Sequence, residues 1–301
     1  MNRKNPRDIF VSVILPVFNG SQYIAEAINS VLEQTHKNFE LIVLDDGSTD
    51  DTLALVSTFK DNRISVHTES SNKGIVYQLN KGLALAKGDM IARMDADDIC
   101  YPNRFQKQIE FLLNHPRIQV LGSQAEKFGD TSTITNYPTT PGSINYLLNY
   151  YCPVLHPSVM MRSSLFKEKK FYYKNIPYAE DYQLWIDISD GTNIANQPDV
   201  LIKYRIHNRQ TNRLKLSEQY GGALRARAEK LSKTFYFTSQ AFQNHLNKIA
   251  NDYTFYGKAM PDNYEPYNFK WMDRLFYEIH SIKGLGISKP IVGYVKKVLF
   301  S

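Results

Sequence analysis

Covalent cross-links and membrane spans find little support in this chain. It has two cysteines, Cys100 and Cys152, in 301 residues. Two thiols cannot make a disulfide framework, and neither sits in a spacing typical of a cysteine metal site. No window approaches the run of about 18 apolar residues that a spanning helix requires. The first apolar stretch, Ile9 to Val17, is short and breaks at Pro16-Val17-Phe18-Asn19-Gly20, while Met1 to Asp8 is polar. The opening therefore does not read as a secretory signal. Together these absences predict an intracellular, cytoplasmic protein. There is no internal repeat and no low-complexity tract.

What is present is ordinary in bulk and uneven in detail. An apolar fraction of 43% and a charged fraction of 22% suit a globular chain, and the length allows one large domain or a domain with an appendage. Tyrosine (20) and phenylalanine (16) are plentiful. The net charge of +6 is concentrated late: residues 213–301 carry 14 Lys and Arg against 7 Asp and Glu, a net +7, and residues 1–212 carry 22 against 23, a net −1. A basic C-terminal segment favours phosphate-bearing partners such as anionic lipid or lipopolysaccharide. Nucleic acid is not expected, because no recognition motif accompanies the basic residues.

Strand and helix signals alternate through the first 125 residues or so. Apolar β runs at Val11–Val17, Phe39–Leu44, Ile64–His67, Met90–Met94 and Ile118–Leu121 are separated by helical stripes within Ser21–Gln34, a segment ending near Phe59, Lys73–Ala86 and Pro102–Asn114. Ser48 and Asp51 resemble a capping box for the second helix. The alternation predicts an α/β fold with a mostly parallel sheet, helices on both faces and ligands at the carboxyl ends of the strands. Pro16–Asn19, Asp45-Asp46 and Asp95–Asp98 all fall at such ends. After Gly122 the rhythm weakens: 129–143 reads as a loop, Gln183–Ser189 as a helix with Leu184, Trp185 and Ile188 on one face, and Val200–Ile206 as a strand.

The segment Asp89–Asp98 is the most informative part of the chain. An apolar strand runs into Asp95, Asp97 and Asp98. Clustered carboxylates repel one another, and the usual compensation is a hard divalent cation with oxygen ligands. Alternation along extended backbone puts the two acids of Asp95-x-Asp97 on one side, an arrangement suited to Mg²⁺ or Mn²⁺ that also holds phosphate oxygens. A solvated turn with helix-capping aspartates is the competing reading.

Several ordered motifs then converge: Val13-Ile14-Leu15-Pro16-Val17-Phe18-Asn19; Ser30-Val31-Leu32-x-Gln34-Thr35; Asp45-Asp46-Gly47-Ser48-Thr49-Asp50; Asn72-x-Gly74 with Asn80-x-Gly82; Ala86-x-Gly88; and Ala92-Arg93-Met94-Asp95-Ala96-Asp97-Asp98. Over roughly residues 10–212 the chain resembles the family 2 glycosyltransferases, which have the GT-A fold. The later motifs Tyr178-Ala179-Glu180-Asp181-Tyr182-Gln183-x-Trp185 and Val200-x-x-Lys203-Tyr204-Arg205-x-His207-x-x-Gln210 look most like bacterial lipooligosaccharide and O-antigen enzymes, which use UDP-sugars.

Residues 213–301 lie outside the resemblance and read from their own pattern as basic and mainly helical. The resemblance implies a catalytic domain over 1–212. It implies that Pro16, Val17, Phe18 and Asn19 cradle the nucleotide, that Asp46 accepts the uracil N–H, and that Lys73 and Arg93 meet ribose or phosphate. Asp95 would lie near ribose and metal, Asp97 would ligate Mn²⁺ or Mg²⁺, and His207 would be a further ligand. Asp181 would be the general base, with Glu180 and His156 as acceptor contacts. The expected reaction moves one GlcNAc, Gal, GalNAc or Glc from a UDP-sugar, with inversion, to a lipooligosaccharide, O-antigen or other lipid-linked acceptor. The basic residues Arg225, Arg227, Lys230 and Lys233, and the stretch Ile282–Phe300, suggest peripheral contact with the anionic inner face of the cytoplasmic membrane. A helical subdomain packed on the core is the alternative.

Rival functions fit less well. A nucleotidyltransferase would need a glycine-rich phosphate loop where this chain has Pro-Val-Phe-Asn-Gly. A non-catalytic nucleotide-sugar binder would have no need of Asp95, Asp97, Asp181 and His207 together. Processive polysaccharide synthases usually carry membrane spans.

Overall fold

The computed structural model describes residues 5–130, 132–167, 170–176, 178–189, 193–207 and 216–235. The chain divides into two compact units, Met1–Gly257 and Lys258–Ser301. The second lies outside the described residues, as do the expectations placed on Ile282–Phe300.

The strands are β1 (Val11–Val17), β2 (Phe39–Asp45), β3 (Ile64–Thr68), β4 (Met90–Arg93), β5 (Ile99–Cys100), β6 (Ile118–Gly129), β7 (Thr133–Ile134), β8 (Met160–Arg162) and β9 (Asn193–Ile206). The helices are α1 (Ile24–Leu32), α2 (Thr52–Ser57), α3 (Ile75–Leu85), α4 (Arg104–Asn114), α5 (Pro141–Leu147), α6 (Glu180–Ser189) and α7 (Leu216–Phe235). One sheet runs in the order β3-β2-β1-β4-β8-β6-β9-β5, with β7 paired to β6. Its first four strands are parallel. The other half is mixed: β8 lies antiparallel between β4 and β6, while β9 runs parallel to β6.

Side-chain alternation along β1 divides the core. Val11, Val13, Leu15 and Val17 face α1 and α4 on one side, and Ile14 faces α3, α5 and α6 on the other. Each helix supplies its apolar stripe: Ile24, Ala27, Ile28 and Val31 from α1, Phe105, Ile109 and Leu112 from α4, and Leu184, Trp185 and Ile188 from α6, all fully buried. Gly82 of α3 permits close packing on the sheet, since a Cβ there would lie 2.6 Å from Ile14 Cγ2.

Three local expectations are corrected. The Ser48–Asp51 capping box does not form: α2 begins after Asp51 with no side-chain cap, because Ser48 Oγ instead accepts the Asn19 N–H at 2.9 Å. The stretch 129–143 is not wholly loop, since it holds β7 and the start of α5, where Thr140 caps by accepting the Ser143 N–H at 3.3 Å. The basic residues of α7 do not form one outward stripe. Among those whose side chains are described, Arg227 and Lys230 are buried and Arg225 is exposed. Lys230 Nζ donates to Asn145 Oδ1 at 2.9 Å and to Ser189 Oγ at 2.8 Å, joining α7 to α5 and α6. Among the described residues no helix is long and apolar enough to cross a membrane.

Candidate active site

The parallel half of the sheet brings the ends of β1, β2 and β4 to one edge. Asn19, just past β1, has a left-handed backbone (φ 50°), a conformation asparagine tolerates better than most residues. Its Oδ1 accepts the Thr49 N–H at 2.8 Å, so it stitches the turn after β1 to the loop after β2. Pro16 and Val17 pair in register with Leu44 and Asp45, and the Phe18 ring stands 47% exposed beyond them.

Asp46 is buried. Its carboxylate accepts the N–H groups of Lys73 at 2.8 Å and Gly74 at 2.9 Å and the Gln78 amide at 2.6 Å. It thereby anchors the N-terminus of α3, whose first N–H groups lack partners within the helix. A carboxylate offers about four acceptor positions, so three bonds leave room for one more donor. The Lys73 side chain is exposed.

At the end of β4, carboxyl oxygens of Asp95, Asp97 and Asp98 all lie within 4.8 Å of one another. Arg93 is buried and ion-paired with Asp95. Burial opposes the Arg93 charge, but Asp95 more than offsets that, and the guanidinium holds its proton more tightly than usual. Burial raises the Asp95 carboxyl despite the pull of Arg93. Asp98 is pushed well above the usual carboxylate range by burial and then by the charges of Asp95 and Asp97. One Asp98 oxygen accepts the Arg205 N–H at 2.9 Å, and the other, Oδ2, is buried without a partner. His207, just past β9, places Nε2 3.0 Å from Asp97 Oδ2. An orphaned buried oxygen, three gathered carboxylates and an imidazole fit a divalent cation bound mainly through oxygen.

The first turn of α6 carries Glu180 and Asp181, where a helix N-terminus favours negative charge. Asp181 is partly open at the surface yet ringed by protein, and this enclosure raises its carboxyl. Its Oδ1 accepts the Tyr182 N–H at 2.7 Å. Glu180 is pushed up to about 7 by burial and then by Asp181, and its Oε2 is buried without a partner. Arg93 joins the two acidic groups: its charge acts on Asp95 and Asp98 from β4 and on Glu180 and Asp181 from α6. Acids far apart in the chain thus fall within the electrostatic reach of one buried guanidinium.

His156 is buried, 6% exposed, with Nε2 2.8 Å from the Tyr173 hydroxyl and its ring against Trp185. Burial, then the Arg93 charge, drops it well below the usual histidine range, so it stays neutral. Reading the sequence did not find Gln78 as a partner of Asp46, nor Tyr23 and Glu26 as partners of Arg205. Gln78 is four residues past Gly74 and so one turn into the helix that Asp46 anchors, a spacing that would have flagged it. No local signal marks the other two.

The family model for glycosyl transferase family 2 matches residues 12–179. An uncharacterized glycosyltransferase of Haemophilus influenzae is 35% identical over 256 residues, covering 80% of this chain and 76% of its own length. Another, from Rickettsia typhi, is 31% identical over 241 residues, covering 77% and 75%. Among solved structures, S. aureus TarS 1–349 in complex with UDP-GlcNAc superposes with a TM-score of 0.63 at 21% identity, covering 82% of this chain and 73% of that one. The mannosyltransferase PcManGT of Pyrobaculum calidifontis, solved with GDP-Man and Mn2+, gives 0.56 at 16% identity, covering 94% and 82%.

Proposed function

The chain belongs to glycosyl transferase family 2 and is a glycosyltransferase with the GT-A fold, and on that premise we propose that it moves one sugar from a UDP-sugar to an acceptor hydroxyl, with inversion and with Asp181 as general base. The observation that carries this reading is that the buried Arg93, ion-paired with Asp95, also acts electrostatically on Asp181. A neighbour of the same fold bound to UDP-GlcNAc supports a uridine nucleotide as donor.

In this reading the rim formed by Pro16, Val17, Phe18 and Asn19 receives the base. Asp46 uses its remaining acceptor position for the uracil N–H. Lys73 and Arg93 face ribose or phosphate. Asp95, Asp97 and His207 would hold a divalent ion, Mn²⁺ or Mg²⁺, which supplies positive charge where the departing diphosphate becomes more negative. Asp181 takes the proton of the attacking hydroxyl as its oxygen closes on the anomeric carbon. A raised carboxyl is a stronger base once ionised, and Asp181 has been raised by its enclosure. With one displacement and no covalent intermediate, an α-linked donor yields a β-glycoside. Glu180 is assigned to the acceptor side; His156, expected as an acceptor contact, is buried with Nε2 on the Tyr173 hydroxyl and is assigned to holding Tyr173 instead. Bacterial lipooligosaccharide or another lipid-linked glycan is the acceptor class implied by the motifs around 178–185 and 200–210. The proposed division is a catalytic domain over 1–212 and a basic region over 213–301; because Lys230 of α7 bonds to α5 and α6, contact with the anionic membrane face is proposed for Ile282–Phe300 alone.

A UDP-release assay over a panel of UDP-sugars, each with Mn²⁺, Mg²⁺ or EDTA, tests the donor and the ion. NMR of the product anomeric proton tests the stereochemistry. A retained α linkage would remove Asp181 from its role.

A further inference from the structure

Arg205 lies two residues before His207, so on extended backbone their side chains fall on the same side of the chain. Its contacts converge on the acidic loop. Its N–H donates to Asp98 Oδ1 at 2.9 Å, and its Nε donates to the Asp97 carbonyl oxygen at 2.8 Å. Nη2 reaches Glu26 of α1 at 2.8 Å. The guanidinium lies 4.2 Å over the Tyr23 ring and 4.5 Å over the Phe128 ring. Tyr23 in turn has its ring 5.1 Å from that of His207. The Arg205 side chain thus holds the Asp97 carbonyl and ties it to α1 and β6, while the main-chain N–H, which any residue but proline would supply at 205, holds the Asp98 side chain.

We propose that Arg205 is a positioning residue that keeps the Asp97–Asp98 segment in the form that binds the cation and the donor diphosphate. This rests on the metal reading given under Proposed function. Three carboxylates gathered within 4.8 Å repel one another. Something other than the ion must hold the loop in place before the ion arrives, and the Arg205 fork meets the loop backbone where that restraint is needed. Lysine cannot replace it: an ammonium lacks the planar fork and stacks less well on aromatic faces. The ion pair with Glu26 is not itself the source of the effect, because Glu26 is 55% exposed and exposed pairs contribute little. Its part is to aim the guanidinium.

The test uses the full chain and its Arg205→Lys variant. Free Mn²⁺ is followed by electron paramagnetic resonance during titration in the presence of UDP. UDP binding without metal is measured by calorimetry, and thermal melting checks the fold. The expected result is Mn²⁺ binding weakened by roughly tenfold or more, the usual effect of losing a group that orients metal ligands, with metal-free UDP binding unchanged. Glu26→Ala, which removes only the distal anchor, should weaken Mn²⁺ by a few-fold at most, about the size of an exposed pair. Wild-type Mn²⁺ affinity in Arg205→Lys overturns the inference; should Arg205→Lys not fold, Arg205→Gln, which keeps a planar amide but loses the charge and the second arm of the fork, is read in the same way. Equal losses of metal-free UDP binding and Mn²⁺ binding also overturn it. A wild-type chain that binds no Mn²⁺ with UDP would end the metal reading, and this inference with it.

Discussion

Replacing Asp181 with Asn should move activity and stability in opposite directions. The substitution keeps the shape of the side chain and an Oδ1 to accept the Tyr182 N–H at 2.7 Å, so only the charge and the basicity are lost. Arg93 and the acids of β4 stay in place, and donor binding should change little. The lost step is removal of the acceptor proton, commonly a factor of about 10² to 10⁴ in rate, or about 3–5 kcal/mol of barrier. Stability follows from burial. The folded chain binds the Asp181 proton more tightly than the unfolded chain, because enclosure disfavours the carboxylate. Folding free energy therefore declines as pH rises through the unfolded and then the folded titration point. The Asn variant escapes that decline and should melt no lower than wild type at pH 8 and level with it only below about pH 3. Asp181 is also one of the charges that lift Glu180 to about 7, so Glu180 should titrate lower in the variant. Steady-state kinetics with the active UDP-sugar, alongside melting curves at the two pH values, checks all of this. A kcat within tenfold of wild type would refute the base assignment. A large drop in melting temperature at pH 8 would show that the charge was serving the fold.

Other expectations can be checked with similar means. Glu180→Gln removes a carboxyl that titrates near 7 when folded and near 4.5 when free. It should stabilise the chain above pH 7 by about 3 kcal/mol and have no effect below pH 4, as read from denaturant midpoints; equal effects at both ends of the range would contradict the burial argument. Asp46→Asn turns an NH₂ group toward at least one of three donors. It should cost about 2–3 kcal/mol in urea unfolding, and a change under 0.5 kcal/mol would deny Asp46 its part in anchoring α3. Gly47 has φ +76°, and a Cβ there would sit 2.8 Å from the Ser71 backbone. Gly47→Ala should therefore destabilise by about 1–3 kcal/mol and loosen UDP binding by calorimetry, whereas wild-type behaviour would mean that the loop yields.

Local pattern determined much of this molecule. The period-2 and period-3.6 apolar runs placed the first four strands and their helices to within a few residues, because each such run must bury one face. The acids of 95–98 could be named from residue type and spacing, and Glu180 and Asp181 from the motif around 178–185 that carries the family resemblance. Pairing across the chain was a different matter. The antiparallel entry of β8 between β4 and β6, the short β5, and the early start of β9 at Asn193 depend on partners dozens of residues away. The same holds for Ser48, which left its expected cap for Asn19, and for Arg227 and Lys230, whose charges suggested an outward basic stripe until packing on α5 and α6 turned them inward. Only the tertiary structure decided that the Arg93 charge would act on two acidic groups far apart in sequence and that Arg205 would grip the acidic loop. A side chain's type limits the bonds it can make, and the folded path of distant segments selects the one it does make.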